Sequence, residues 1–300
     1  MRLGIAPLSV NNILNQVIRQ RGVEGLLNFC FSDVIERVAK AGYDHCEITM
    51  DAFQLFPIQI SNDDIEKLLQ IKKDFGITYS AHMPLLSIEL AGPNKFIRDG
   101  SVNALIDAYN SVIDLEKEIE TFILHLSGDT VTDILKFIQD PELRNKAADL
   151  FVNFAIQSIA KFIEETGIKN QKIAIENIEF PLEGTIKIIR DLNTKLCLDT
   201  AHLLGGFSGN HDLLEVARNY FNLISEIHLQ DYIDNPLADH GILGTGEHFP
   251  SDFINFINDK NFQGPCVFEL NHEEAYESVK YLKNHPAKVE IPDIKNQSFF

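Results

Sequence analysis

Short β-rich runs alternate with amphipathic helical patterns along the whole chain. Eight runs have the length and apolar content of buried strands: Leu3–Pro7, His45–Met50, Thr78–His82, Phe122–Leu126, Lys172–Asn177, Leu196–Thr200, Ile224–Leu229 and Cys266–Leu270. The intervening segments show helical spacing, as in SDVIERVAKAGY and NDDIEKLLQIKKDFG, and several begin with Ser, Asn or Asp and end with Gly. Eight βα units in one chain predict an α/β fold, a single (β/α)8 TIM barrel.

No Pro-, Gly- or Ser-rich linker divides the chain, so residues 1–300 are predicted to form one domain. An open doubly wound sheet is the alternative, but the sequence PLSVNN stands where such a fold usually has a glycine fingerprint. Residues 9–28 are predicted to form an extra loop and helix before the first regular helix. The residues from about 287 onward are predicted to form a loose trailing segment.

Composition and charge exclude several classes of protein. A chain of 300 residues with 45% hydrophobic and 23% charged residues is typical of a globular protein, not of a disordered chain, collagen or a coiled coil. The 44 acidic and 26 basic residues give a net charge of −18, which disfavours binding to a polyanion. The four cysteines lack paired spacing, and no signal peptide or membrane-spanning run is recognisable. We therefore expect a cytoplasmic protein that is not embedded in a membrane.

Ionisable side chains recur near the C-terminal ends of the predicted strands. They alternate with apolar residues, so they share the face of each strand that lines a barrel interior. The set comprises Glu47, His82, His125, Glu176, Asp199, His228 and Glu269. Barrel enzymes carry their chemistry at this end, and buried charges must be paired or must bind a cation. Mixed imidazole and carboxylate groups predict a divalent metal, with Mn or Zn favoured and Co, Fe or Mg as alternatives.

The order of the motifs resembles the xylose isomerase-like TIM barrel superfamily, which holds sugar isomerases and epimerases together with endonuclease IV. The matching motifs cover nearly the whole chain: AGYDHCEI, SAHMPL, FILHLSG, IAIEN, LCLDTAH, EIHLQD, HGILGTG and FEL. For the isomerase and epimerase branch, the resemblance implies one divalent ion held by Glu176, Asp199, His228 and Glu269. For the endonuclease branch, it implies a cluster of three zinc ions that adds His82, His125, His202 and His240.

The chain departs from each branch at one point. The endonuclease branch has an Asp two residues before the last of these histidines, whereas this chain has Ala238 there and Asp239 directly beside His240. The epimerase branch often has an Arg a few residues after the histidine of the seventh strand, and DYIDNPLAD contains none. Glu47 is interpreted as a substrate-binding residue or a hydrogen-bonded residue of the barrel. The remaining histidines are interpreted as surface or supporting residues: His45, His211, His248, His272 and His285.

The loops that would form the barrel mouth contain few basic residues. Lys and Arg are absent from DAFQLFPIQIS, SGDTVTD, NIEFPLEGT, TAHLLGGFSGNHD and QDYIDNPLADHGILGTGEHFP, and Lys95 and Arg98 are the main exceptions in the third loop. A DNA-binding mouth needs such residues to neutralise phosphates, so nucleic acid is not the expected partner. Phe53, Leu55 and Phe56 suit a lid over a small molecule at least as well as a wedge in a nucleic-acid groove. The glycines of GILGTGEHFP indicate a turn more than a phosphate cradle.

The sequence favours a metal-dependent isomerase or epimerase of a small sugar or polyol. Glu176 and Glu269 would move a proton at a carbon next to a metal-bound carbonyl, and His202 would bind substrate oxygens. The alternative is an endonuclease IV-like zinc phosphodiesterase that acts on abasic DNA. A third interpretation is other metal-dependent chemistry or a metal-binding barrel without catalysis. The expected partner is a small-molecule substrate, and a homo-oligomer is compatible with these features.

Overall fold

The computed structural model describes residues 1–27, 29–56 and 60–300. Within these residues the strands are β1 (Arg2–Ile5), β2 (His45–Thr49), β3 (Thr78–His82), β4 (Ile119–Leu124), β5 (Ile173–Glu176), β6 (Lys195–Asp199), β7 (Ile224–His228), β8 (Asp231–Asp234), β9 (Leu237–Gly241) and β10 (Pro265–Phe268). Eight of them pair in parallel in the order β1-β10-β7-β6-β5-β4-β3-β2 and close a barrel. The predicted (β/α)8 barrel is therefore confirmed.

Helices follow the barrel strands. They are α1 (Val10–Ile13), α2 (Arg19–Arg21), α3 (Glu24–Leu27), α4 (Phe31–Ala41), α5 (Asp51–Leu55), α6 (Asn62–Phe75), α7 (Lys95–Ser111), α8 (Asp129–Phe137), α9 (Pro141–Thr166), α10 (Leu182–Leu192), α11 (Thr200–Leu204), α12 (Leu213–Tyr220), α13 (Ser251–Asp259) and α14 (His272–Lys283). Helix α9 packs against α7 on one side and α10 on the other, and α4 packs against α6. The helices thus form the outer layer of the barrel.

Local sequence signals set the ends of these helices. At the start of α6, the Ser61 side chain accepts a hydrogen bond from the Asp64 backbone, and the Asp64 carboxylate accepts one from the Ser61 backbone. This reciprocal capping box satisfies backbone donors that would otherwise lack partners. Gly76 ends the same helix at φ +73°, a left-handed conformation that a side chain would disfavour.

The two faces of the barrel strands have different roles. Leu198, Ile227 and Phe268 face outward, where they are buried in the main apolar core beneath the helices. The alternate positions face inward and include Glu226 and His228, both without solvent exposure. The inward and outward assignment made from strand alternation is therefore confirmed on these strands. It places polar side chains inside the barrel, where most barrels carry Val, Ile or Leu.

Three features differ from the sequence-based expectation. Strand β4 ends at Leu124, so His125 follows the strand instead of lying within it. Strands β8 and β9, which were not predicted, form an antiparallel hairpin after β7. Residues 287–300 contain no helix or strand, yet Ile294 and Phe299 are buried. This segment packs on the fold, with the Lys295 N–H donating to the Ala41 carbonyl, instead of trailing loosely.

The segment predicted as a loop and helix at residues 9–28 contains α1, α2 and α3 together with a π-helical turn at Leu14–Ile18. Asn28 lies outside the described residues. The segment packs its own small apolar cluster, which includes Ile13 and Val17, against Ala52 of α5. In the described part of the chain, no helix combines the length and apolar character that crossing a membrane requires.

Candidate metal centre

Four of the predicted residues meet at the C-terminal ends of adjacent strands. Glu176, Asp199 and His228 are the last residues of β5, β6 and β7, and Glu269 follows β10 directly. Each offers a ligand atom that lies within 4.8 Å of a ligand atom on every other member of the group. The side chain of Glu269 is 18% exposed, whereas those of the other three are almost fully buried.

The Nδ1 atom of His228 is the focus of this group. It lies 3.2 Å from Glu269 Oε2, 3.6 Å from Glu176 Oε2 and 3.7 Å from Asp199 Oδ2. Despite these distances, the buried nitrogen makes no hydrogen bond. A buried polar atom without a partner requires an explanation. Three carboxylates converging on one imidazole nitrogen match the donor set of a divalent transition-metal site, so the residues present fit a metal ion.

Two amide side chains hold the carboxylates in place. The Asn177 amide bridges β5 and β6, donating to the Asp199 carbonyl at 3.0 Å and accepting from the Asp199 N–H at 2.8 Å. Gln230 donates to Asp199 Oδ2 at 2.7 Å and to Glu269 Oε2 at 3.1 Å, and it accepts from the Glu269 N–H. Neither amide was assigned a role from sequence. Gln230 shares the inward parity of His228, so strand alternation could have revealed it.

His82 and His125 contact the same oxygen of Glu176. Their Nε2 atoms lie 3.2 Å and 3.0 Å from Glu176 Oε2. The Nδ1 atom of His82 is 3.0 Å from the Met83 carbonyl, which can only accept a hydrogen bond. The Nε2 atom of a neutral His82 would therefore present a lone pair to a carboxylate. The contact between His82 Nε2 and the Glu176 carboxylate therefore requires a proton or a metal ion between the two atoms.

The pKa values of this cluster show how charge is balanced when protons are the only cations. Burial alone would lower the pKa of His82, but its hydrogen bond to Glu176 and the neighbouring charge of Glu47 raise it to about 10. Burial would raise the pKa of Glu176, but the His125 and His228 charges hold it well below its ordinary value. The imidazolium groups therefore compensate the carboxylates, as a metal ion would.

His202 and His240 form a further group with Asp199. The Nδ1 atom of His202 lies 2.8 Å from Glu176 Oε1, and the Nε2 atom of His240 lies 3.4 Å from Glu269 Oε2. His240 reaches the centre because it lies on β9 of the unpredicted hairpin. The Oδ1 atom of Asp239 lies 3.3 Å from His240 Nδ1, and the Asp239 side chain is half exposed.

Glu47 lies beneath the centre, not beside the cavity. Its side chain is fully buried, and its Oε2 atom is 3.2 Å from His228 Nε2. Of the two roles considered for Glu47, the structure fits the hydrogen-bonded barrel residue. His45 is also fully buried inside the barrel, and His285 is buried beside α14, whereas His248 is exposed.

A cavity of about 560 Å³ opens above the centre. Its lining contains His82, His240 and Glu269 from the cluster, and Asn12 and Asn15 from the segment after β1. Among the residues that the structure describes, no Lys or Arg lines it. The cavity wall therefore combines acidic, neutral polar and apolar side chains, and its volume is within the range of small-molecule sites.

The prediction of an apolar lid after β2 is wrong for the residues of this loop that the structure describes. Phe53, Leu55 and Phe56 do not line the cavity, and Phe53 instead packs edge-on against Phe31 at 5.2 Å. Residues 57–59 of this loop lie outside the described residues. Leu85 and Leu86, which follow β3, supply the apolar part of the cavity wall.

The basic residues of the third loop are engaged away from the cavity. Lys95 pairs with Asp99 at 2.5 Å. The Arg98 guanidinium donates to the Gly92 carbonyl at 2.8 Å and lies 4.0 Å from the ring centre of Phe154. Both positively charged groups therefore have partners outside the cavity wall.

The glycine cluster after β9 is a turn folded around a carboxylate. Asp231 Oδ2 accepts 2.9 Å hydrogen bonds from the backbone N–H groups of Gly244 and Gly246. These donors are the ones that a phosphate cradle would have to offer to a ligand. Since Asp231 already occupies them, the structure supports the interpretation of this motif as a turn.

Comparison with known proteins identifies the family. The family model described as xylose isomerase-like TIM barrel matches residues 35–285. A D-tagatose 3-epimerase-like protein superposes with a TM-score of 0.66 and 19% identity, covering 95% of this chain and 97% of that chain. Endonuclease IV from Thermus thermophilus superposes with a TM-score of 0.62 and 15% identity, covering 84% and 92%. No curated protein sequence matches the chain. The protein belongs to the xylose isomerase-like TIM barrel family.

Proposed function

We propose that this protein is a metal-dependent isomerase or epimerase of a small sugar or polyol. One observation carries the proposal: Glu176 and Glu269 reach the same His228 nitrogen from β5 and β10, below a small cavity whose described lining has no Lys or Arg. Two carboxylates that approach one point from separate strands suit proton removal and return at a carbon atom. The cavity suits a small polar molecule better than a nucleic acid.

The proposed centre assigns a separate task to each side chain. A divalent ion held by Glu176, Asp199, His228 and Glu269 would polarise a substrate carbonyl and lower the pKa of the neighbouring C–H group. Glu269 is the proposed ligand that lines the cavity, so it is the carboxylate best placed to take the first proton from a substrate carbon. Burial would raise its pKa, but in the metal-free protein the neighbouring His228 charge keeps that pKa well below its ordinary value, and a bound cation would act in the same direction. Glu269 is therefore ionised at neutral pH and able to accept a proton.

Other side chains would position the substrate and return the proton. His240 lines the cavity, and its Nε2 atom has no hydrogen-bond partner, so its ring N–H can donate to a substrate oxygen. His82 also lines the cavity, but the Met83 carbonyl and Glu176 occupy both of its ring nitrogens. Glu176 stands deeper, with its Oε1 atom beside His202 and without a hydrogen-bond partner. In this scheme Glu176 is the second carboxylate of the proton exchange, acting on a substrate drawn down onto the ion, and His202 orients it.

Phosphodiester hydrolysis is the second candidate, and one observation favours it. Besides the main group, the clusters His82–His125–Glu176 and Asp199–His202–His240 each bring three ligand residues together, and they share Glu176 or Asp199 with the centre. A centre with several metal ions suits hydrolysis of phosphodiesters. Against this candidate stand Ala238, which offers no ligand atom, and the lack of basic residues in the described cavity wall.

The experiment that separates the two functions compares their substrates on one preparation. Purified protein loaded with Mn²⁺ or Zn²⁺ is incubated with free keto sugars, including D-tagatose and D-fructose, and with an abasic DNA duplex. We expect a new sugar epimer or isomer and no incision of the DNA. Incision that declines steeply with added salt, without any sugar product, would favour the phosphodiesterase.

A further inference from the structure

A continuous chain of polar side chains runs along the barrel interior beneath the candidate centre. At the N-terminal end, the Arg2 guanidinium donates to Thr78 Oγ1, which lies 2.7 Å from His45 Nδ1. His45 Nε2 lies 2.8 Å from Ser80 Oγ, and the Ser80 hydroxyl donates to Glu226 Oε1 at 2.8 Å. In this arrangement each hydroxyl and ring nitrogen has a partner. Such a chain replaces the apolar side chains that fill most barrels of this type.

The upper end of this chain reaches a residue of the proposed centre. Glu47 Oε2 lies 3.4 Å from the Ser80 hydroxyl and 3.2 Å from His228 Nε2, and both Glu47 and His228 are fully buried. Burial raises the pKa of Glu47, whereas the charge and hydrogen bond of His228 act in the opposite direction and favour the carboxylate. In that ionised form Glu47 can only accept hydrogen bonds. The contact therefore places a proton on Nε2 of His228.

The location of that proton decides what the other ring nitrogen can do. A neutral imidazole has one donor nitrogen and one acceptor nitrogen. With Nε2 donating to Glu47, the free lone pair of His228 is on Nδ1, the atom that faces Glu269 and the other carboxylates of the centre. The opposite tautomer would direct an N–H group into the centre and set a lone pair against the Glu47 carboxylate. Glu47 thus selects the tautomer that can bind a cation.

We infer that Glu47 is the positioning residue of this centre and that it sets the ring orientation and tautomer of His228. This inference rests on the proposed metal centre but is independent of which substrate the enzyme uses. Carboxylates that orient a metal-binding histidine commonly contribute about 10- to 100-fold to metal affinity. Removal of Glu47 is therefore expected to weaken metal binding by a factor of this size.

Glu226 provides a matched control. Its side chain is as deeply buried as that of Glu47, and it hydrogen-bonds to the same Ser80 hydroxyl. However, it makes no hydrogen bond to His228, and its closest imidazole is His45 at 3.6 Å. Replacing Glu226 removes a buried carboxylate from the same chain while leaving the bond between Glu47 and His228 in place. A difference between the two variants therefore isolates the positioning effect from the general effect of altering the barrel interior.

The test measures Zn²⁺ affinity with a competing chelator, together with the visible spectrum after Co²⁺ loading. The full-length chain is compared with Glu47→Gln, Glu47→Met and Glu226→Gln. Gln keeps an acceptor oxygen for His228 Nε2, whereas Met removes it, so Gln is the conservative rescue. We expect the affinity to fall about 10- to 100-fold in Glu47→Met, with partial recovery in Glu47→Gln and near wild-type affinity in Glu226→Gln. The Co²⁺ bands should shift only in the Glu47 variants.

Three outcomes would contradict the inference. Equal losses of affinity in Glu47→Gln and Glu226→Gln would show a general effect of the buried charge and would overturn the positioning role. Wild-type affinity in Glu47→Met would do the same. If Glu47→Met does not fold, the Zn²⁺ affinities of Glu47→Gln and Glu226→Gln are sufficient to test the positioning role. Absence of stoichiometric zinc in the wild-type protein would overturn the proposed centre and this inference with it, which separates that failure from the first two.

Discussion

The Oδ1 atom of Asp199 accepts a 2.7 Å hydrogen bond from the backbone N–H of His202, so one carboxylate of the candidate centre also caps helix α11. The other oxygen of Asp199 accepts from Gln230 and lies 3.7 Å from His228 Nδ1. One carboxylate oxygen of Asp199 therefore caps the helix, and the other faces the candidate centre. Suitable substitutions can separate the two tasks.

The first prediction compares Asp199→Asn with Asp199→Ala. Both variants lose the carboxylate charge, so both should lose stoichiometric metal, as measured by elemental analysis of the purified protein. Asn keeps the helix cap and Ala does not, so we expect Asp199→Ala to be less stable than Asp199→Asn by about 1 kcal/mol in urea unfolding with a chelator present. Unchanged metal content and affinity in both variants would show that the centre is assigned to the wrong residues.

The second prediction concerns the number of metal ions. In a metal-loaded crystal, anomalous scattering at the metal edge should give one peak among Glu176, Asp199, His228 and Glu269. In the metal-free protein the pKa of His82 is raised to about 10, so a protonated His82 compensates Glu176 at the place where a second ion would bind. We expect this contact to persist when the main centre is loaded. An additional peak between His82 and His125 would contradict the single-ion centre and support the phosphodiesterase.

The third prediction concerns the pH dependence of the metal-free protein. The pKa of His82 is raised from an ordinary 6.5 to about 10, so its ion pair with Glu176 stabilises the fold fully below pH 6.5. That contribution is lost as pH rises towards 10. The free energy of unfolding, measured in urea with a chelator, should therefore fall across this window and fall less in His82→Gln. An equal fall in the variant would show that another group causes the pH dependence.

The fourth prediction tests the turn that follows β9. A methyl group at Gly246 would overlap the Tyr232 carbonyl oxygen and the Asp231 carboxylate. We expect Gly246→Ala to destabilise the fold by about 1–3 kcal/mol and to reduce metal affinity, because the turn follows directly after His240. Gly100 within α7 is the matched control, since a methyl group there meets no atom within 4 Å. Gly100→Ala should stabilise the protein by about 0.5–1 kcal/mol in thermal or urea unfolding.

The sequence predicts the positions of those residues that follow from the local alternation of polar and apolar side chains. Glu176, Asp199 and His228 each end a strand, and alternation with apolar residues is sufficient to place them inside a barrel. The barrel itself follows from the regular succession of strands and helices. These predictions depend on neighbours in the sequence, so they do not require knowledge of tertiary contacts.

The features that escaped prediction depend on contacts between distant parts of the chain. The hairpin β8–β9 lacks the alternating apolar pattern of a buried strand, because its residues are mostly half-buried or exposed. Leu85 and Leu86 were not predicted in the cavity wall because Asp51, which follows β2, accepts hydrogen bonds from their backbone N–H groups and fixes the loop after β3. Such long-range bonds leave no periodic signal in the sequence.

Transfer of hydrogen between a substrate carbon and solvent is the measurement that tests the proposed function most directly. Metal-loaded protein is incubated with free keto sugars in D₂O, and the metal content of Glu269→Gln is determined alongside its activity. The account predicts deuterium in both the recovered sugar and its epimer or isomer, and loss of this exchange in Glu269→Gln. Absence of deuterium uptake across the sugars, together with salt-sensitive incision of abasic DNA by the same preparation, would contradict it.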